Sequence, residues 1–187
     1  NPFINRPKHK HGAVPFDAIK QEHFIPALDY AIQQAEDKLN EVKKNPATST
    51  FENTALPMET CSELMDAVVQ TYFNLMGAES DNDFKELAQE ISPKLSAFEN
   101  NKLLDSKLFE RIKHVYENMD SENLNAEQKR LVSESYKDFK LNGALLSEGD
   151  KEKVRKIDEE LSKLSPKFSQ NTLNATNEFI YFTEDET

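Results

Sequence analysis

The stretch LSEGDKEKVRKIDEELSKLSPKFSQNTLNATNEF, residues 146–179, decides the reading of this chain. Val154, Ile157, Leu161, Leu164 and Phe168 recur at alternating steps of three and four, which places them on one stripe of a helix. Ser147, with Asp150 three residues on, predicts where that helix starts. The hydroxyl satisfies a free amide of the first turn, and the acid sits at the positive helix end. After Asn177 the pattern changes: Phe179, Ile180, Tyr181 and Phe182 read as a strand-like tail. A lone strand cannot satisfy its own backbone groups. The expectation is that residues 179–187 open the next part of a larger protein.

The helical period recurs upstream. Over 22–43, Phe24, Ala27, Leu28, Ala31, Ile32, Ala35, Leu39 and Val42 share a face; Pro26 fits the first turn and Asn45-Pro46 closes the helix. A second region spans 51–78, with a break at Pro57, a main run from Met58, and Cys61, Leu64, Met65, Val68, Tyr72, Phe73 and Met76 facing inward. The third, 83–98, carries Phe84, Leu87, Ala88, Ile91, Leu95 and Phe98, with Pro93 as a kink. The fourth, 106–118, follows Asp105 as N-cap and buries Leu108, Phe109, Ile112, Val115 and Tyr116.

The fifth begins at Asn125, with Gln128 completing its cap, and stops at Gly143. The short loop to the sixth helix predicts that these two are antiparallel neighbours, with a bend at Pro166. Residues 1–15, with Pro2, Pro7, Gly12 and Pro15, read as an extended arm. The predicted fold class is all-α: an antiparallel bundle of about six helices over 16–178 with every apolar stripe turned inward.

Composition narrows the partners. A net charge of −11 repels phosphates, which argues against nucleic acid or an anionic membrane. No apolar run approaches the ~20 residues that span a bilayer, and no signal peptide is visible. The start at Asn1 without Met leaves room for a removed export leader, so the cytoplasm is expected and the periplasm is the alternative. Cys61, the single cysteine, falls on an apolar face and reads as a core residue rather than a nucleophile.

Several pieces carry a resemblance. They are NPF (1–3), PFDAIKQEHFIPALDYAI (15–32), TFENT (50–54), CSELMDAVVQTYFNL (61–75), EISPKL (90–95) and YKDFKLNGALLSEGDK (136–151). In this order they resemble the N-terminal helical region of the zinc metallopeptidases of the thimet oligopeptidase and peptidyl-dipeptidase family. NPF and the TYFNL region resemble the peptidyl-dipeptidase branch. The resemblance implies a larger, mostly helical, two-lobed enzyme around a deep channel. These helices would form part of one wall, oligopeptides would be the substrates, and a catalytic lobe absent from these residues would be the partner in cis.

It also implies zinc, bound in the family by H-E-x-x-H on a helix, where two His grip the metal and the Glu activates its water. None of His9, His11, His23 and His114 stands in that pattern. His9 and His11 sit two apart in the arm, and His23 is followed by Pro26 and Ala27 rather than a second His. His114 reads as a surface or helix-end residue, and Asp158-Glu159-Glu160 as a solvated face. Within TFENT, Phe51 reads as an apolar anchor and Asn53 or Thr54 as backbone-bonding groups at a helix start. The expectation is no catalytic, cofactor-binding or metal residue in this chain, with zinc held outside it. The competing reading is a self-contained helical module that binds a partner through an exposed apolar groove, with Met65 and Met76 compatible with such a surface. An exposed apolar face is expected around Phe168, Leu173, Phe179, Ile180 and Phe182.

Overall fold

A computed structural model describes residues 1–5, 14–78 and 81–180. Among them the regular structure is entirely helical: α1 Phe24–Lys44, α2 Leu56–Thr60, α3 Glu63–Ala78, α4 Asn82–Glu86, α5 Ala88–Leu103, α6 Ser106–Asn118, α7 Ala126–Leu141 and α8 Glu148–Glu178. None of these is long and apolar enough to cross a membrane. The His9 and His11 pair of the arm, and Tyr181 and Phe182 of the tail, lie outside the described residues.

Local chemistry places the helix starts. Asp105 Oδ1 accepts from the amides of Lys107 (2.8 Å) and Leu108 (3.0 Å), holding the first turn of α6. Asn125 and Gln128 exchange bonds of 2.9 Å each way at the start of α7. Ser147 Oγ accepts from the Asp150 amide and donates to the Asp150 carboxylate, starting α8. At the other end of α7, Gly143 has φ +97°, which β-carbon residues avoid. A Cβ there would also meet Leu146 at 2.7 Å.

The core is one apolar cluster. Phe24, Leu28 and Tyr72 are fully buried at one end, with Phe24 edge-on to Tyr72 and to Phe84. Ile112, Val115, Val132 and Phe139 are fully buried between α6 and α7, and Phe3 of the arm packs against Phe24. Burial pushes the Tyr72 hydroxyl up to about 12, so it stays neutral and donates a hydrogen bond to the Phe84 carbonyl at 2.8 Å. Cys61 is buried, its Sγ 3.1 Å from the Met58 carbonyl, and burial raises its thiol too.

Five expectations need correction, the last of them the neighbour of the long helix. The second region breaks at Cys61-Ser62 rather than at Pro57, which occupies the first turn of α2 and needs no amide there. The third region divides at Leu87 into α4 and α5, and α5 runs on to Leu103 with Pro93 inside it. The apolar stripe of α8 is not turned inward: Val154 is half-buried, but Ile157, Leu161, Leu164 and Phe168 are 53–73% exposed. No strand occurs among the described residues; Phe179 is extended (φ −74°, ψ 116°) and pairs with no ladder.

The long helix also chooses another neighbour. It packs mainly along α5 rather than folding back on α7. The physical reason lies at its first turn. Lys151, 1% exposed, is threaded to the start of α6, where its ammonium donates to Ser106 Oγ at 2.7 Å. That anchor sets α8 at the α5–α6 junction, from which it runs back antiparallel to α5. A short loop brings two helices near each other but does not choose which face or neighbour follows.

Candidate docking face

Two faces of α8 have opposite character. From Lys151 to Pro166 the buried or half-buried residues of α8 are Lys151, Val154, Arg155, Asp158, Ser162 and Pro166. Apart from Val154, these are polar or small residues at steps of three and four. The apolar stripe, Ile157, Leu161, Leu164 and Phe168, lies roughly a third of a turn away at ~100° per residue, and it faces solvent. Leu173, Phe179 and Ile180 extend the exposed apolar surface, at 42%, 75% and 70%, as the sequence pattern predicts. An amphipathic helix that packs through its polar side and exposes its apolar side is half-partnered.

The 4-3-4 spacing of the stripe is the narrow seam that a second helix fills knob-into-hole. Covering four such side chains stabilises by about 1.5–3 kcal/mol for each one fully buried. At the α7–α8 turn, Leu141 and Leu145 are also exposed, at 74% and 66%. Flanking charges on α8 are satisfied locally: Glu159 and Lys163 pair at 2.6 Å, and this bond holds the Glu159 carboxyl below its usual range. The acidic run thus splits, with Asp158 half-buried and Glu159 and Glu160 in solvent.

The described histidines serve structure. His23 Nδ1 accepts from the Lys20 amide at 3.0 Å. His114 Nδ1 lies 3.1 Å from the Ser49 carbonyl. Among the described residues no three His, Cys, Asp or Glu side chains gather so that they could hold a metal ion. The donor groups described therefore do not fit zinc.

A second built feature escaped the sequence pattern. Thr50 and Asn53 form a reciprocal cap, with Thr50 N donating to Asn53 Oδ1 at 2.9 Å. Arg111, on α6, reaches into that turn. It donates to the Asn45 carbonyl (2.8 Å), Asn53 Oδ1 (3.3 Å) and Thr54 Oγ1 (3.2 Å). The Phe51 amide donates to Glu122 at 3.0 Å, and Phe51 itself is buried. TFENT is thus a clamped turn, as its residue types suggest, but the clamp is supplied from about 60 residues away. Nothing in the local period marks Arg111; the signal was a lone arginine on a helix whose other face is apolar.

Comparison with known proteins agrees with this architecture. Residues 28–152 match the family described as Neurolysin/Thimet oligopeptidase, N-terminal domain. Dipeptidyl carboxypeptidase of Escherichia coli (strain K12) is 31% identical over 175 residues, which cover 94% of this chain and 26% of that protein. The Salmonella typhimurium dipeptidyl carboxypeptidase is likewise 31% identical, over 94% of this chain and 26% of its own length. Oligopeptidase A of Haemophilus influenzae is 27% identical over 100% of this chain and 27% of its own length. The chain spans about a quarter of the length of these relatives. With the helices in place and two thirds of the sequence matched, the chain belongs to the neurolysin/thimet oligopeptidase family, in its N-terminal domain.

Proposed function

We propose that this chain is the N-terminal channel-wall domain of a zinc-dependent peptidyl-dipeptidase that releases C-terminal dipeptides from oligopeptides. The observation that carries the reading is the exposed 157–168 seam on a helix already packed through its polar side. That seam is the docking face for the catalytic lobe of the parent polypeptide. The relatives' greater length supports such a lobe, and their names support peptide chemistry.

In this reading the domain does its work without touching the metal. A wall of rigid helices excludes folded proteins and admits flexible peptides, so it selects substrate by size. In this reading the described residues supply no catalytic, cofactor-binding or metal group. Zinc and its activated water belong to the other lobe. A cytoplasmic location is supported by the relative named as a probable cytosolic oligopeptidase.

The test is product analysis with N-blocked tetrapeptides and hexapeptides. The parent polypeptide with zinc is expected to release C-terminal dipeptides, and the 187-residue chain with zinc to release none. Cleavage of hexapeptides at internal bonds without stepwise dipeptide release would assign the oligopeptidase branch instead. Hydrolysis by the 187-residue chain alone would overturn the scaffold reading.

A further inference from the structure

The chain carries a net charge of −11, yet one of its cavities is ringed by cations. This cavity, of ≈ 430 Å³, lies where the end of α1, the start of α6 and the first turns of α8 meet. Lys43, Lys44, Lys107 and Arg155 line it, against two carboxylates, Asp105 and Glu148. Behind its wall sits the buried ammonium of Lys151, bound to Ser106 and Glu148, both of which line the cavity. Its counter-charge, Glu148, is 77% exposed, so water screens the carboxylate more than the ammonium.

Helix-end electrostatics accounts for part of this ring. Lys43 and Lys44 close α1, where cations favour the negative helix end, and Lys43 also pairs with Asp105 at 3.0 Å. It does not account for Lys107. That lysine stands in the first turn of α6, the positive end of the helix, where the one acid is the N-cap Asp105, already paired with Lys43. Neither Lys44 nor Lys107 has an ion-pair partner among the described residues. A cation placed against its own helix end, beside others, in a concave site focuses positive potential.

We propose that this cavity is a binding site for a small multiply charged oxyanion, held chiefly by Lys44, Lys107 and Arg155. Two sources share that chemistry, a free phosphate and the carboxylates of a short acidic peptide. The site is independent of the docking seam, which uses a different face of α8, and it stands or falls apart from the peptidase reading.

The experiment is a titration of the ¹⁵N-labelled 187-residue chain with inorganic phosphate, and separately with a Glu-Glu dipeptide, at constant ionic strength. Saturable amide shifts at Lys44, Ser106, Lys107 and Arg155 are expected with at least one probe. Phosphate saturation assigns the free anion, and dipeptide saturation alone assigns the acidic peptide. The Lys44→Glu/Lys107→Glu pair is expected to weaken binding at least tenfold. Lys107→Glu suits the positive end of α6 whereas Lys44→Glu opposes the negative end of α1, so Lys107→Glu alone, also expected to weaken binding, separates lost binding from lost folding. Lys137→Glu, which does not line the cavity, is expected to leave affinity unchanged. Shifts that rise linearly without saturation for both probes, or equal affinity in the double variant, would overturn the proposal.

Discussion

Replacing Leu161 and Leu164 together by glutamate is expected to leave the 187-residue chain as stable as before, while destabilising the parent polypeptide by about 4–6 kcal/mol. Both side chains are more than half exposed, so their loss removes little burial within the domain. Surface changes of this kind shift stability by about 0.5 kcal/mol at most. Once another lobe covers the seam, each leucine contributes about 1.5–3 kcal/mol, and each glutamate adds the cost of an unpaired buried charge. Parallel urea titrations of the domain and the parent measure the difference. Equal, small effects in both would mean that nothing covers the stripe. A large loss in the isolated domain would mean that these side chains already pack within it.

Arg111→Ala is expected to destabilise the domain by about 3–4 kcal/mol. The guanidinium binds the Asn45 carbonyl, Asn53 and Thr54 at once, and Thr54 is fully buried. Removing it takes the charged donor from three acceptors, of which Thr54 is buried, and a hydrogen bond to a charged group is worth ~1.5–3 kcal/mol. Arg111→Lys should recover less than half, because one ammonium cannot span a planar fork of acceptors. Urea unfolding of the two variants decides it. A loss below about 1 kcal/mol for Arg111→Ala would show that the turn over residues 45–54 holds itself through Thr50 and Asn53 alone.

What could be read from residues alone divides by range. The caps at Asp105, Asn125 and Ser147 were legible because the groups they satisfy lie two or three residues on. The helix faces buried in α1, α6 and α7 were legible from period for the same reason. Hydrophobic period names the apolar face of a helix but says nothing about which face finds a neighbour. That is why α8 was expected to turn its stripe inward against α7. Lys151, a charged residue that no pattern assigns to an interior, decides otherwise by anchoring the helix at Ser106.

Arg111 was illegible on the same principle. Its acceptors stand 57 to 66 positions away, so only the fold brings them together. The candidate docking face was half legible: Phe168, Leu173, Phe179 and Ile180 were expected to be exposed, whereas Ile157, Leu161 and Leu164 were expected inside. Pro57 misled for a simple reason. A proline breaks a helix only where its missing amide was needed, and in the first turn of α2 it was not.

The most direct test uses the inertness of the native thiol. Cys61 is buried, so in the 187-residue chain Leu164→Cys introduces a single reactive reporter at the centre of the seam, and in the parent its labelling is read on the peptide that carries residue 164. Its labelling rate with a water-soluble maleimide would be measured in the 187-residue chain and in the parent polypeptide. Fast labelling in the chain, slowed at least a hundredfold in the parent, is the predicted result. Equal rates in the two would contradict the claim that this face of α8 is where the rest of the enzyme docks.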